Sequence, residues 1–538
     1  MSELAWNTFP EVIEVGRKRF GPRPAIVDPE AGPLTYAELA DAVERAGRAF
    51  MAAGVRAGDS VGVWAPNIRE WVVAALGLQS AGGVLVPMNT RYKGHEAGYI
   101  LRKSRARILC TVVRFLDQDY VDLLRGAEGG PEDGRPVGGL PELERIVVLR
   151  GDAPPATRSW GDFLKTAGDV PLEDLRSRRA AIDPDVDLCD ILFTSGTTGL
   201  PKGVMTGHFQ GLRSVAAWID CVRLREGDRY QIVNPFFHVF GYRCGWLASL
   251  MVGATVYPEA VLDVPRVLRR VSEERITVLP GPPTLYQSIL AHPDLGSFDL
   301  SSLRMGVTGA ASIPVDLVKR AKSELGFEDF VTGYGLTENC GTASMTTPDD
   351  DPEIIATTSG RAIPDVELRI VGPGGEALGP GEAGEVVLRG PNVMKGYLDD
   401  PEATAEAIDA EGWLHTGDVG VLDEVGNLRI TDRLKDMLIV GGFNVYPAEV
   451  ENTLSAHPKV MHAAVIGVPD ERLGEVAHAC LVLAPGETAE PAEILAWARE
   501  RLAGFKLPRT LEFLDELPMN ATGKVQKFLL RERAEAAR

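Results

Sequence analysis

A chain of 538 residues is too long for one ordinary hydrophobic core, so roughly two to four domains are expected. Its 45% apolar and 25% charged residues exclude a disordered polypeptide. Its formal charge of −20 excludes general nucleic-acid binding through surface cations, so any anionic ligand must be held locally by backbone amides, a few placed cations or a metal.

The six cysteines, Cys110, Cys189, Cys221, Cys244, Cys340 and Cys480, show no CxxC pair and no zinc-type spacing. Scattered thiols of this kind suit a reducing compartment, and the amino terminus lacks the basic and apolar regions of a signal peptide, so a cytoplasmic protein is expected. Self-association is left open.

In chain order, Leu34-Thr35-Tyr36 leads into a helix that runs through Phe50, followed by a strand over 60–64. The most apolar stretch, 71–88, is broken by Gln79, Ser80 and a Gly-Gly pair, and so reads as a buried helix running into a strand, not a membrane span. Residues 126–139, rich in Gly, Pro and acidic residues, read as a surface loop. Strands follow at 276–280 and 303–309, the latter ending in a small-residue turn where Ser312 caps a helix begun by Pro314. Alternating strands and helices indicate α/β layers with parallel sheets, whose ligands sit beyond the carboxyl ends of strands. Near Gly360 short strands with Gly/Pro turns suggest a small β-rich subdomain, and after about Arg433 a compact α+β unit is expected. There is no internal repeat.

The densest chemical signal is Thr194-Ser195-Gly196-Thr197-Thr198-Gly199-Leu200-Pro201-Lys202-Gly203, which follows an apolar strand. Glycines let amide groups approach an oxyanion, hydroxyls donate further hydrogen bonds, and a lysine adds charge, as a polyphosphate requires. The loop is not a Walker A motif, because Gly203 stands where Ser or Thr should follow the lysine. Downstream come Thr308-Gly309-Ala310-Ala311, Tyr334-Gly335-Leu336-Thr337-Glu338, Trp413-Leu414-His415-Thr416-Gly417-Asp418, Thr431-Asp432-Arg433-Leu434-Lys435-Asp436, Gly441-Gly442-Phe443-Asn444 and Asn520-Ala521-Thr522-Gly523-Lys524. Taken singly, several read equally well as turns or solvated charges; Thr416-Gly417-Asp418, for example, could be a simple Asp-containing turn.

In this order and spacing the motifs resemble those of the adenylate-forming superfamily of acyl-CoA synthetases, luciferases and nonribosomal-peptide adenylation domains, over nearly the whole chain. The resemblance implies an α/β fold: a large N-terminal domain of layered α/β subdomains plus a small β-rich subdomain (1–432), then a small mobile α+β C-terminal domain (433–538). It also implies the site residues. Thr194, Ser195, Gly196, Thr197, Thr198, Gly199 and Lys202 would grip the phosphates of ATP. Tyr334 and Gly335 would carry the adenine, while Gly309 and Ala310 line it. Thr337 would touch the α-phosphate, Glu338 would hold Mg²⁺, and Asp418 and Arg433 would meet the ribose and nucleotide. Lys435 would be the hinge, Gly441 and Gly442 would face coenzyme A, and Lys524 would be the catalytic cation. Phe237, His238, Tyr242, Trp246 and Gly309, with Tyr286, would shape the acyl pocket. A catalytic base is not required, because a carboxylate is already ionised at neutral pH; a gating role suits His238. Arg91 matches a position that meets the CoA phosphates in some relatives, although a surface salt bridge explains it equally.

The implied reaction joins a small-molecule carboxylic acid to coenzyme A at the expense of ATP, through an acyl-adenylate. The segments 234–238, 281–288 and 441–447 are similar to those of actinobacterial ligases for ring-bearing propanoates from sterol breakdown, which points to a bulky alicyclic or polycyclic acid. Competing readings are a medium-chain, long-chain or aryl acid substrate, another acceptor, an enzyme of one half-reaction, and a non-catalytic nucleotide-binding protein.

Overall fold

The computed structural model describes residues 6–194, 201–309, 313–434, 436–440, 443–470, 473–502, 504–519 and 525–536. Ser195 to Gly199, Ala310, Ser312, Lys435, Gly441, Gly442 and Lys524 lie outside this set, as do the side chains of Arg433, Phe443 and Asn444. The chain divides into two compact units, residues 1–367 with 388–414 and residues 368–387 with 415–538.

The first unit holds two large sheets. In the nine-stranded sheet the order is Arg361–Ala362, Ser344–Met345, Asp329–Tyr334, Met305–Gly309, Val278–Pro280, Arg229–Ile232, Thr255–Pro258, Pro24–Asp28 and Gly32–Thr35. The six strands from Asp329–Tyr334 to Pro24–Asp28 pair in parallel, so their carboxyl ends share one edge. The chain runs from Arg229–Ile232 outward to Thr255–Pro258, then crosses back to Val278–Pro280 on the other side. That reversal makes a topological switch point between Arg229–Ile232 and Val278–Pro280, where ligand crevices form in open α/β sheets. The eight-stranded sheet places Leu188–Thr194 between Val84–Pro87, its parallel neighbour, and the antiparallel Lys202–Gly207, which also pairs with Gly396–Tyr397.

Local sequence explains several of these elements. The helix Tyr36–Ala52 starts in a capping box: Glu38 N donates to Thr35 Oγ1 at 3.2 Å, and Thr35 N donates to Glu38 Oε2 at 2.8 Å. Such a cap stabilises by about 1 kcal/mol. Leu39, Ala40, Val43, Ala46 and Phe50 recur at helical spacing and are fully buried. The apolar stretch 71–88 is a helix, Arg69–Ser80, followed by the strand Val84–Pro87, and among the described residues no helix is long and apolar enough to cross a membrane. One boundary differs from expectation. Pro314 is itself the N-cap of Val315–Ser323, in an extended conformation, because its ring fixes φ near −63° without requiring a helical ψ.

The second unit contains most of a four-stranded sheet, Glu367–Val371, Gly384–Arg389, Leu414–Leu422 and Leu428–Arg433. It also contains a five-stranded sheet built on the long antiparallel pair Val460–Asp470 and Gly474–Leu483. The helices Pro447–Ser455, Pro491–Arg499 and Lys527–Ala536 contribute Val450, Leu454, Ile494, Ala498 and Leu530 to its core, beside Val465, Ile466 and Leu481. This is the α+β texture anticipated for the carboxyl-terminal region.

Candidate active site

Four of the expected segments hang from the carboxyl edge of the nine-stranded sheet. Gly309 ends one strand and Tyr334 the next, with Gly309 directly opposite Gly333. Thr337 and Glu338 follow in a single 3₁₀ turn, Thr337–Asn339. Asn339 is buried and accepts a hydrogen bond from Leu336 N at 2.7 Å, closing that turn on itself. Gly335 is required here: a Cβ would stand 2.3 Å from Gly341 O and 2.5 Å from its carbon. Tyr334 to Glu338 are all half-buried, a layer open enough to meet a ligand.

Glu338 is also tied to the other sheet of the same unit. Tyr397 Oη donates to Glu338 Oε1 at 3.0 Å, and Met394 N donates to Glu338 O at 2.8 Å. Lys202 Nζ lies 5.0 Å from the centre of the Tyr397 ring, a cation–π contact. Register explains the convergence. Thr194 pairs with Lys202 across the hairpin that brackets the glycine-rich segment, and Val204 pairs with Tyr397. Burial, followed by the Glu338 charge, pushes the Tyr397 hydroxyl far above its ordinary value, so it stays protonated and donates. A carboxylate whose orientation is set by such a bond is the kind of oxygen ligand that Mg²⁺ favours.

The switch point carries the Asn234-Pro235-Phe236-Phe237-His238 segment. Asn67 clamps it: its Nδ2 donates to Asn234 O at 2.9 Å, and its Oδ1 accepts from Phe236 N at 2.7 Å. His238 Nδ1 accepts from Phe240 N at 3.2 Å, which places the proton of a neutral ring on Nε2. Phe237 and His238 are half-buried. Tyr242 and Trp246 differ from them, being fully buried in the helix that follows. Their rings stack at 4.9 Å, Trp71 packs edge-on against both, and Gln79 Nε2 donates to Tyr242 Oη at 2.8 Å. They therefore pack in the core, whereas Phe237 and His238 keep exposed surface. Tyr286 is likewise buried, with its hydroxyl donating to Leu279 O and Val307 O. Arg91 is exposed.

Beneath these segments Arg243 Nη2 donates to both carboxylate oxygens of Asp190, at 2.7 and 2.8 Å, with neither side chain exposed. The pair joins the helix after His238 to the strand leading into the glycine-rich segment.

The segment Trp413-Leu414-His415-Thr416-Gly417-Asp418 leads into a nine-residue strand, Leu414–Leu422, in which Asp418 pairs with Arg433 on the next strand. Gly417 adopts φ 67°, which bends the strand at the motif. Glu385 holds the bend, one oxygen accepting from Gly417 N at 3.0 Å and the other lying 2.8 Å from His415 Nδ1. Asp418 is buried, and its backbone N donates to Thr416 Oγ1 at 3.1 Å.

Sequence reasoning missed Tyr397, Asn67, Glu385 and the Asp190–Arg243 pair. Each acts on a partner 30 to 169 positions away, and no local pattern announces it.

Comparison with known proteins identifies the architecture. A family described as AMP-binding enzyme matches residues 13–398, and the AMP-binding enzyme C-terminal domain matches 449–524. The 3-[(3aS,4S,7aS)-7a-methyl-1,5-dioxo-octahydro-1H-inden-4-yl]propanoyl:CoA ligase of Rhodococcus jostii (strain RHA1) is 49% identical over 527 residues, covering 98% of both chains. Among solved structures, the anthranilate CoA ligase AuaEII in complex with anthranoyl-AMP superposes with a TM-score of 0.85 at 30% identity, covering 98% of each chain. ATP-bound MatB from Rhodopseudomonas palustris superposes with a TM-score of 0.83 at 29% identity, covering 98% of this chain and 99% of its own. With both family domains matched and near-complete coverage in each comparison, the chain belongs to the AMP-binding enzymes, as an ATP-dependent, adenylate-forming acyl-CoA synthetase.

Proposed function

We propose that the chain activates a bulky alicyclic or polycyclic carboxylic acid and delivers it to coenzyme A. The observation that carries the reaction is the alignment of Phe237-His238, Gly309, Tyr334 and Glu338 along one sheet edge, with Tyr397 reaching Glu338 from the second sheet and Lys202 lying over the Tyr397 ring. The substrate class is supported by the ring-bearing propanoate named for the Rhodococcus relative.

In the first half-reaction a carboxylate oxygen bonds to the α-phosphorus of ATP, and the bond to the pyrophosphate oxygen breaks. Tyr334 stacks on adenine, with Gly309 and Ala310 alongside, and Thr337 donates to the α-phosphate. Thr194 to Gly199 and Lys202 neutralise the departing phosphates. Glu338 holds Mg²⁺, which supplies charge neutralisation. Lys524 stabilises the charge that moves between carboxylate and phosphate, and Asp418 and Arg433 anchor the nucleotide. Such chemistry depends on positioning and charge placement. In the second half-reaction the thiol sulfur bonds to the acyl carbon, AMP departs with the carboxyl oxygen, and the thiol proton is released. A boundary after residue 432, rotation about Lys435 and a CoA-facing Gly441-Gly442 accommodate this step. Phe237 and His238 line the acid, Tyr242 and Trp246 support them from behind, and the enzyme works in the cytoplasm without nucleic acid.

The test is pyrophosphate release over a panel of polycyclic, fatty and aryl acids, with and without CoA, while acyl-CoA is followed by mass. Pyrophosphate and acyl-CoA appearing together with ring-bearing propanoates is the expected result. Faster turnover of fatty or aryl acids overturns the substrate class. Pyrophosphate without acyl-CoA overturns the acceptor.

A further inference from the structure

The five-stranded sheet brings together a nitrogen, a sulfur and an oxygen ligand on residues that the proposed reaction does not use. His478 and Cys480 are two apart on Gly474–Leu483, so their side chains leave the same face. The parallel strand Thr510–Phe513 sets Thr510 opposite His478 and Glu512 opposite Cys480. One ligand atom from each of His478, Cys480 and Glu512 lies within 4.8 Å of the other two.

The surrounding bonds orient this group as a metal's outer contacts would. Thr510 Oγ1 lies 2.7 Å from His478 Nδ1, turning the ring so that Nε2 is 3.8 Å from Glu512 Oε2. Arg533 donates from Nε and Nη2 to Glu512 Oε1, at 3.0 and 2.7 Å, which fixes the other end of the carboxylate. Metal-bound imidazoles and carboxylates usually have partners of this kind on their remote atoms. Bond lengths of about 2.0 Å to nitrogen or oxygen and 2.3 Å to sulfur set tetrahedral ligands roughly 3.3–3.6 Å apart. A small contraction therefore closes the set, and Glu512, with a third of its side chain exposed (34%), has room to make it.

We propose that His478 Nε2, Cys480 Sγ and Glu512 Oε2 bind one zinc-type divalent cation, with water as fourth ligand, pinning the Thr510–Phe513 strand to the sheet. Mixed sulfur, nitrogen and oxygen donors select zinc or cobalt over Mg²⁺ or Ca²⁺. Binding replaces the thiol proton, which leaves to solvent, with a sulfur–metal bond. The site is independent of the ligase reaction.

The experiment titrates the metal-stripped full-length protein with Co²⁺ and follows the thiolate-to-cobalt charge-transfer band in the near ultraviolet. The band should saturate at one equivalent and bleach on adding Zn²⁺. It should vanish in Cys480→Ser and persist in Cys221→Ser. Glu512→Gln, a change at a partly exposed position that leaves the core intact, should weaken Co²⁺ binding by about tenfold or more. No saturable band, a band that survives Cys480→Ser, or unchanged affinity in Glu512→Gln overturns the proposal.

Discussion

Two polar clusters in the first unit hold charged groups in opposite ways. Asp190 and Arg243 meet with no exposed side-chain surface, two strong bonds joining them. Glu338 and Lys202 each meet Tyr397, yet all three remain half-buried. The first cluster fixes the distance between the helix after His238 and the strand that enters the glycine-rich segment. The second presents a carboxylate, an ammonium and a phenol where a ligand can reach them. Burial, not charge content, separates scaffold from chemistry here.

The sharpest way to break that contrast is to remove one member of each cluster. Arg243→Met leaves Asp190 buried without its partner and should cost about 3–5 kcal/mol of stability, read by urea unfolding. Arg243→Met combined with Asp190→Leu should recover most of that loss, and an equally unstable double variant would contradict a purely structural pair. Glu338→Gln should leave unfolding unchanged while reducing adenylate formation on the order of 10²-fold, measured by pyrophosphate release against Mg²⁺ concentration. Equal loss of stability and activity would erase the distinction between the clusters.

Proton uptake tests the buried side further. His208 sits in the same core, its Nδ1 accepting from Phe9 N at 3.2 Å, and burial lowers its pKa from 6.5 to about 3. The unfolded chain protonates this ring below pH 6.5 and the folded chain does not until about 3, so stability should fall with pH across that window. The slope from this group is about 1.4 kcal/mol per pH unit, and His208→Gln should remove it from unfolding curves at pH 7, 6 and 5. The smallest effect is Tyr397→Phe. Loss of one hydrogen bond to a carboxylate, worth about 1–2 kcal/mol, should raise the Mg²⁺ requirement several-fold with little change at saturation. An unchanged Mg²⁺ requirement would show that Tyr397 does not orient Glu338.

Much of the fold is readable because local rules operate there. Thr35 with Glu38 announces the helix Tyr36–Ala52, and apolar runs announce the strands Ser60–Trp64 and Met305–Gly309. Pro314 misleads, since a proline suits an N-cap as well as a first helical residue, and strand pairing removes the simple-turn alternative for Thr416-Gly417-Asp418. The glycines, aromatics and carboxylates of the site are visible as motifs, but their supports are not. Asn67 reaches Phe236 across 169 positions and Tyr397 reaches Glu338 across 59, contacts made between segments that belong to two different sheets.

The crossover in the nine-stranded sheet bears on how such a protein can change over time. The acid-side segment leaves the Arg229–Ile232 strand, while Gly309 and Tyr334 end strands laid down after the chain has reversed direction. The two groups of candidate site residues are thus inherited on separate stretches of gene. On the function proposed above, substitutions around Phe237 and His238 would retune which acid is accepted while the adenine-side strands are copied unaltered.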